Sequence, residues 1–176
     1  MKKGNNNRGF TIIEVALVLA IAGLIFLMVF VALPGLRASQ RDTTRREDMI
    51  SLIDSVKKYQ QNNRGALPNG TQDVTGGSID ENADSNSWAG FYRDYLGENF
   101  IDPDGEPYNL TVSKCDGSLE SDCEVNYSEE PFPNGYNIAI VLQASCNGER
   151  AIKSSNPRKF AVIYKLEGAG TYCGNS

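Results

Sequence analysis

The chain has 176 residues, 40% apolar and 22% charged, with 17 basic against 22 acidic side chains and a net charge of −5. This length holds one globular domain plus an appendage, and the acidic balance gives the isolated subunit no electrostatic reason to bind nucleic acid non-specifically. Histidine is absent (0 residues), which removes the commonest general base and metal ligand, and no phosphate loop, serine elbow or paired-cysteine motif stands in for it; the expectation is a protein that is not an enzyme and holds no cofactor.

Residues 1–9 contain Lys2, Lys3 and Arg8 and no acid. From Phe10 to Leu33 nearly every residue is apolar, the exceptions being Thr11, Glu14 and the small Gly23. At about 1.5 Å per residue this run reaches about 36 Å. It can cross a hydrocarbon core of about 30 Å and is too long for the short core of an ordinary cleaved secretory signal. A carboxylate in hydrocarbon costs about 2.5–3.5 kcal/mol at mid-membrane and less near an interface. Glu14 therefore either reaches water at the membrane edge or has a dedicated positive partner. Basic residues also follow the run, at Arg37, Arg41, Arg45 and Arg46, so charge counting alone does not orient it.

Pro34-Gly35 follows the apolar run. Proline removes a backbone donor and glycine weakens a helix, so the pair predicts either a kink in a continuing helix or a break at the membrane exit. Residues 37–48 are almost purely polar and read as an exposed neck, with Arg45 and Arg46 beside Glu47 and Asp48 as a solvated face. Met49, Ile50, Ile53 and Val56, widened by Leu52 and Tyr59, form a stripe that predicts a helix face against a sheet. Asn63-Arg64-Gly65 is the expected helix stop.

Residues 64–87 form a long loop rich in Gly, Asn, Asp and Ser. Asp80, Asn82, Asp84 and Asn86 alternate as in a calcium loop, but Ser85 stands at the glycine position and Phe91 at the closing glutamate position; an exposed loop is the plainer reading. Trp88, Phe91, Tyr92, Tyr95 and Leu96 mark one face of a short helix that Ser87 can cap. Ile101 to Tyr108 reads as a tight turn into a strand, with Asp102 and Asp104 as weak calcium candidates. Strands are predicted at Tyr108–Val112, Tyr136–Ala144 and Phe160–Leu166, with a weaker one at Val125–Tyr127. Asn69-Gly-Thr, Asn109-Leu-Thr and Asn126-Tyr-Ser match a short glycosylation pattern.

The four cysteines, Cys115, Cys123, Cys146 and Cys173, all lie beyond the apolar run. Their even number suits disulfides in an oxidising compartment, whereas zinc would call for C-x-x-C spacing or histidines. Three pairings are open. Cys115–Cys123 with Cys146–Cys173 is the expected one, since each closes a loop around a turn-rich stretch.

The segment Lys2-Lys3…Arg8-Gly9-Phe10-Thr11-Ile12-Ile13-Glu14 and the apolar run after it resemble the class III signal of type IV prepilins and pseudopilins. Ile12, where leucine is usual, is a small departure. The resemblance implies an α+β pilin fold: a long N-terminal helix, transmembrane in its first half and amphipathic in its second, packed on a small antiparallel sheet. It divides the chain into a leader at 1–9, a transmembrane and filament-core helix at 10–33, its amphipathic continuation at 34–63, and a head at 64–176. It implies cleavage between Gly9 and Phe10 by a prepilin peptidase and N-methylation of Phe10. It assigns Glu14 to pairing with the amine of a neighbouring subunit, and Pro34-Gly35 to a helix breaker that can open on assembly. The implied partners are other pilin subunits, an assembly platform with its ATPase, and the membrane. The implied location is the cytoplasmic membrane with the N-terminus inside, then an extracellular pilus. The ending Leu166–Cys173 resembles C-termini of pilins from very small, host-attached bacteria, which adds a host-cell surface as a partner.

Three functions follow. One is a subunit of a type IV pilus for attachment, twitching motility or DNA uptake. Another is a pseudopilin for secretion, favoured by the likeness of Asp102-Pro103-Asp104-Gly105-Glu106-Pro107-Tyr108 to major pseudopilins. The third is an anchored binding protein that never polymerises, against which Glu14 argues.

Overall fold

A computed structural model describes residues 9–119, 121–123, 136–168 and 170–176, without the side chains of Tyr136 and Asn137. Lys2, Lys3 and Arg8, the weak strand at Val125–Tyr127 and Asn126 lie outside the described residues. The chain divides into two compact units, Met1–Ala38 and Ser39–Ser176.

Helix α1 runs from Ile12 to Asn62 and contains Pro34 without interruption. Proline cannot donate to the carbonyl four residues back, but neighbouring turns carry the helix through, so the continuing helix is the arrangement present. The stop comes where the sequence places it. Arg64 and Gly65 have φ of 56° and 81°, and Gly65 N–H donates to the Gln60 carbonyl at 2.6 Å.

In the second unit, Met49, Leu52, Ile53, Val56 and Tyr59 are buried. Ile50 is 51% exposed, which corrects the predicted stripe. At about 100° per residue, Ile50 points well away from the line through Met49, Leu52 and Val56. The exposed neck is corrected too: Asp42 and Arg45 are buried.

The main sheet has the order β1-β2-β5-β6, with β1 Tyr108–Lys114, β2 Tyr136–Leu142, β5 Phe160–Lys165 and β6 Thr171–Asn175. β2, β5 and β6 pair antiparallel, while β1 and β2 run parallel. A parallel pair needs a connection of a dozen or more residues, and the two strands are separated by that much sequence. The architecture is the expected α+β one, antiparallel-rich with one parallel pairing.

A hairpin of β3 Ala144–Asn147 and β4 Arg150–Lys153 forms a second sheet. The strand predicted to run from Tyr136 to Ala144 ends instead at Leu142, because Gln143 takes a left-handed φ of 56° and turns the chain into β3. Both faces of the main sheet are consequently covered. Ile138, Ile140, Phe160, Val162 and Tyr164 belong to the core that contains the α1 stripe. Ala139, Val141, Ala161 and Ile163 pack with Ala144 and Ala151 of the hairpin. Two-sided burial explains why β2 and β5 read as near-continuous apolar runs.

Disulfides join Cys115 to Cys123 and Cys146 to Cys173. The first holds a segment whose Cys123 N–H donates to Ala151 of β4 at 2.8 Å. The second links β3 to β6. Together they sew the hairpin layer onto the main sheet.

Candidate functional site

The N-terminal site begins at an exposed junction. Gly9 and Phe10 precede α1, and Phe10 is 87% exposed. Thr11 occupies the N-cap and Glu14 the third helical position. Thr11 N–H and its hydroxyl both donate to Glu14 Oε2 at 2.9 Å, and Glu14 N–H donates to Thr11 Oγ1 at 3.4 Å. This is a capping box, in which the two side chains satisfy donors that the first helical turn leaves open. The spacing Thr-x-x-Glu carries that signal in the sequence, and the reading of Glu14 as a lone carboxylate missed it. The box draws only on residues after Phe10, so a cut between Gly9 and Phe10 leaves it intact.

Along the rest of the run the apolar side chains lack cover. Ile12 is 91% exposed, Phe30 74% and Val31 77%, and the helix is long and apolar enough to cross a membrane. Apolar area in water costs about 25 cal/mol per Å², so this surface calls for lipid or protein around it. The apolar helix together with the motif below supports a membrane-anchored form.

A second constellation lies within the second unit and was not legible in the sequence. Arg45 is 2% exposed. Its Nε and Nη2 donate to both oxygens of Asp102 at 2.7 and 2.9 Å, and Nη2 also donates to Asp104 at 2.8 Å. Nη1 donates to Glu167 at 3.1 Å and to Asp42 at 3.3 Å. All five guanidinium donors are thereby used. Hydrogen bonding to Asp102 raises the Arg45 pKa against the opposing effect of burial.

Asp102 and Asp104, the calcium candidates, both face Arg45. Asp102 also accepts from the Asp104 N–H at 3.0 Å and the Tyr164 hydroxyl at 3.3 Å. Their tight turn is present as predicted: Asp102 N–H donates to Glu106, and Gly105 has φ 92°. The alternation at Asp80–Asn86 resolves into two local turns, with Asp80 Oδ1 accepting from Asn82 N–H and Asp84 Oδ1 from Asn86 N–H. Among the glycosylation triplets, Asn109 is buried and accepts from Gly76 N–H, whereas Asn69 is exposed.

A family model described as the prokaryotic N-terminal methylation motif matches residues 4–30. No curated protein and no solved structure matches the chain. The matched span contains the Gly9-Phe10 junction, the capped Glu14 and most of the exposed apolar helix, and the motif is the class III signal that prepilins of the type IV pilin family carry.

Proposed function

We propose that the chain is a structural subunit of a type IV pilus, anchored in the cytoplasmic membrane by residues 10–33 and polymerised through the same helix. The observation that carries this reading is an exposed apolar helix with one acid, Glu14, four residues from the expected new N-terminus at Phe10. Prepilin peptidase cuts between Gly9 and Phe10, and Phe10 is then N-methylated. The Thr11 bonds lower the cost of carrying Glu14 in the membrane before assembly. The amine of an incoming neighbour then supplies the opposite charge, and a complementary pair in apolar surroundings is far cheaper than a lone carboxylate. Pro34-Gly35 acts as the weak point of the stem. The head faces the oxidising side, consistent with its two disulfides. Its expected partners there are a host-cell or other attachment surface. The chain is a substrate of its processing enzymes and not itself an enzyme.

A pseudopilin of a secretion system is the second reading, favoured by the turn at Asp102–Tyr108 and its resemblance to major pseudopilins. Electron microscopy of sheared surface fractions separates the two, since only a pilus yields long extracellular filaments of this subunit.

Mass spectrometry of protein from cells is expected to find a chain starting at methylated Phe10. A chain retaining Met1–Gly9 in cells with an active prepilin peptidase sinks the reading. Glu14→Ala is expected to leave insertion and cleavage intact while cutting filament incorporation at least tenfold, the equivalent of about 1.4 kcal/mol for a lost charge pair. Unchanged filament yield would remove Glu14 from assembly.

A further inference from the structure

Arg45 stands where three segments meet: α1, the turn at 102–105 and the exit from β5 at 167–168. Arg41 reinforces the third, with Nε and Nη2 both on the Glu167 carboxylate and Nε 3.5 Å from Asp104. Asp42 accepts from the backbone N–H groups of Glu167 and Gly168 at 3.0 and 2.9 Å. In this stretch of α1 the buried residues before Met49 are Asp42 and Arg45. The turn Arg41–Arg45 is thus held to the head by charged and polar contacts, while the apolar grip of the core starts one turn later.

We propose that this cluster is an acid-labile fastener: protonation of its carboxylates frees the Arg41–Arg45 turn and both loops from one another while the apolar core stays folded. The facing groups are Arg41, Asp42 and Asp48 from α1, Asp102 and Asp104 from the turn, Tyr108 from β1, and Tyr164 and Glu167 from β5 and its exit. Burial pushes the Asp42 carboxyl up, but the two backbone N–H groups and the Arg45 guanidinium outweigh it and hold it below its ordinary 3.8. Hydrogen bonding to Arg41 holds Glu167 below 4.5. Carboxylates lowered in the folded state stabilise it above their unfolded values and lose that contribution as pH falls through the folded ones. Asp48, pushed up by burial, runs the other way and is relieved by acid. For Asp42 and Glu167 the release window therefore lies below their ordinary 3.8 and 4.5.

The test is an NMR titration of the full-length chain in detergent micelles, read at the Glu167 and Gly168 amides that Asp42 accepts, with the Val162 amide of β5 as the core reference. Both amides are expected to titrate with a midpoint below 3.8, while Val162 keeps its position and protection. Arg45→Met is expected to raise the midpoint by about 1–3 pH units, the shift an adjacent guanidinium imposes on a carboxyl. If that variant does not fold, Glu167→Gln serves, because its side chain is 39% exposed. It leaves the Asp42 bonds in place, yet it is expected to speed Gly168 amide exchange about tenfold if the cluster opens as a unit. Wild-type behaviour in the folded variants would show that the Glu167 and Gly168 amides hold Asp42 independently of the rest of the cluster and would overturn the proposal. Loss of Val162 protection at the same pH as Gly168 would overturn it as well.

Discussion

Leu52→Ala is expected to lower the stability of the second unit by about 2–5 kcal/mol, the cost of emptying a fully enclosed leucine site. Leu52 is 0% exposed and sits in the core with Met49, Val56, Ile140 and Val162, so the truncation removes contacts between α1 and the sheet. Ile50→Ala, two residues away on the same helix, is expected to change stability by no more than about 0.5 kcal/mol, because Ile50 is 51% exposed. Urea unfolding of the full chain in detergent can follow Trp88, the one tryptophan in the sequence, which is 1% exposed in the same core. Equal losses from the two variants would mean that the helix is rotated about its axis so that Ile50 shares the buried face.

That contrast also marks what periodicity can and cannot tell. The recurrence of apolar residues from Met49 to Tyr59 identified the buried face, whereas the near-continuous apolar run of β5 marked a strand without saying which of its residues face the helix. A three- or four-residue spacing tolerates Ile50 as a neighbour of the stripe, although the angle excludes it. β6 opens with the strand-favouring Thr171 and Tyr172 but continues with Cys173, Gly174 and Asn175, too short a signal to mark a strand; it forms because β5 offers it an edge. The β3–β4 hairpin was hidden by its own continuity with β2. Only the left-handed turn at Gln143 separates them, and glutamine does not announce such a turn as glycine or asparagine would.

The two polar sites differ in the same way. At the N-terminus the chemistry is local: Thr11 and Glu14 lie three residues apart, and the family resemblance rests on contiguous residues. The Arg45 cluster draws on positions 42, 102, 104 and 167, which no local pattern connects. Composition suggested a solvated arginine, and surface ion pairs contribute little. Folding instead brings a turn built on Pro103 and Gly105 against α1, and a buried guanidinium then requires every donor to be met. A long polar stretch can thus become interior when distant carboxylates converge on it.

The double variant Cys146→Ser/Cys173→Ser is expected to lose about 3.5 kcal/mol, and Cys115→Ser/Cys123→Ser about 2.5 kcal/mol, from the loop-closure entropy of the unfolded chain. The ordering follows from sequence separations of 27 and 8 residues. The location of the damage follows from the fold. Cys146 and Cys173 link β3 to β6, and the hairpin covers Ala139, Val141, Ala161 and Ile163. Those side chains are too small or too few to hold a four-residue strand pair unaided, since an isolated hairpin is marginal in water. Without the bond the hairpin is expected to detach before the α1 face of the sheet opens. Protease cleavage within residues 143–154 should therefore appear at urea concentrations where Trp88 fluorescence is still native. Cleavage that coincides with the Trp88 transition would instead mean that hairpin and main sheet unfold as one body, and that the disulfide acts on the whole head through the unfolded chain alone.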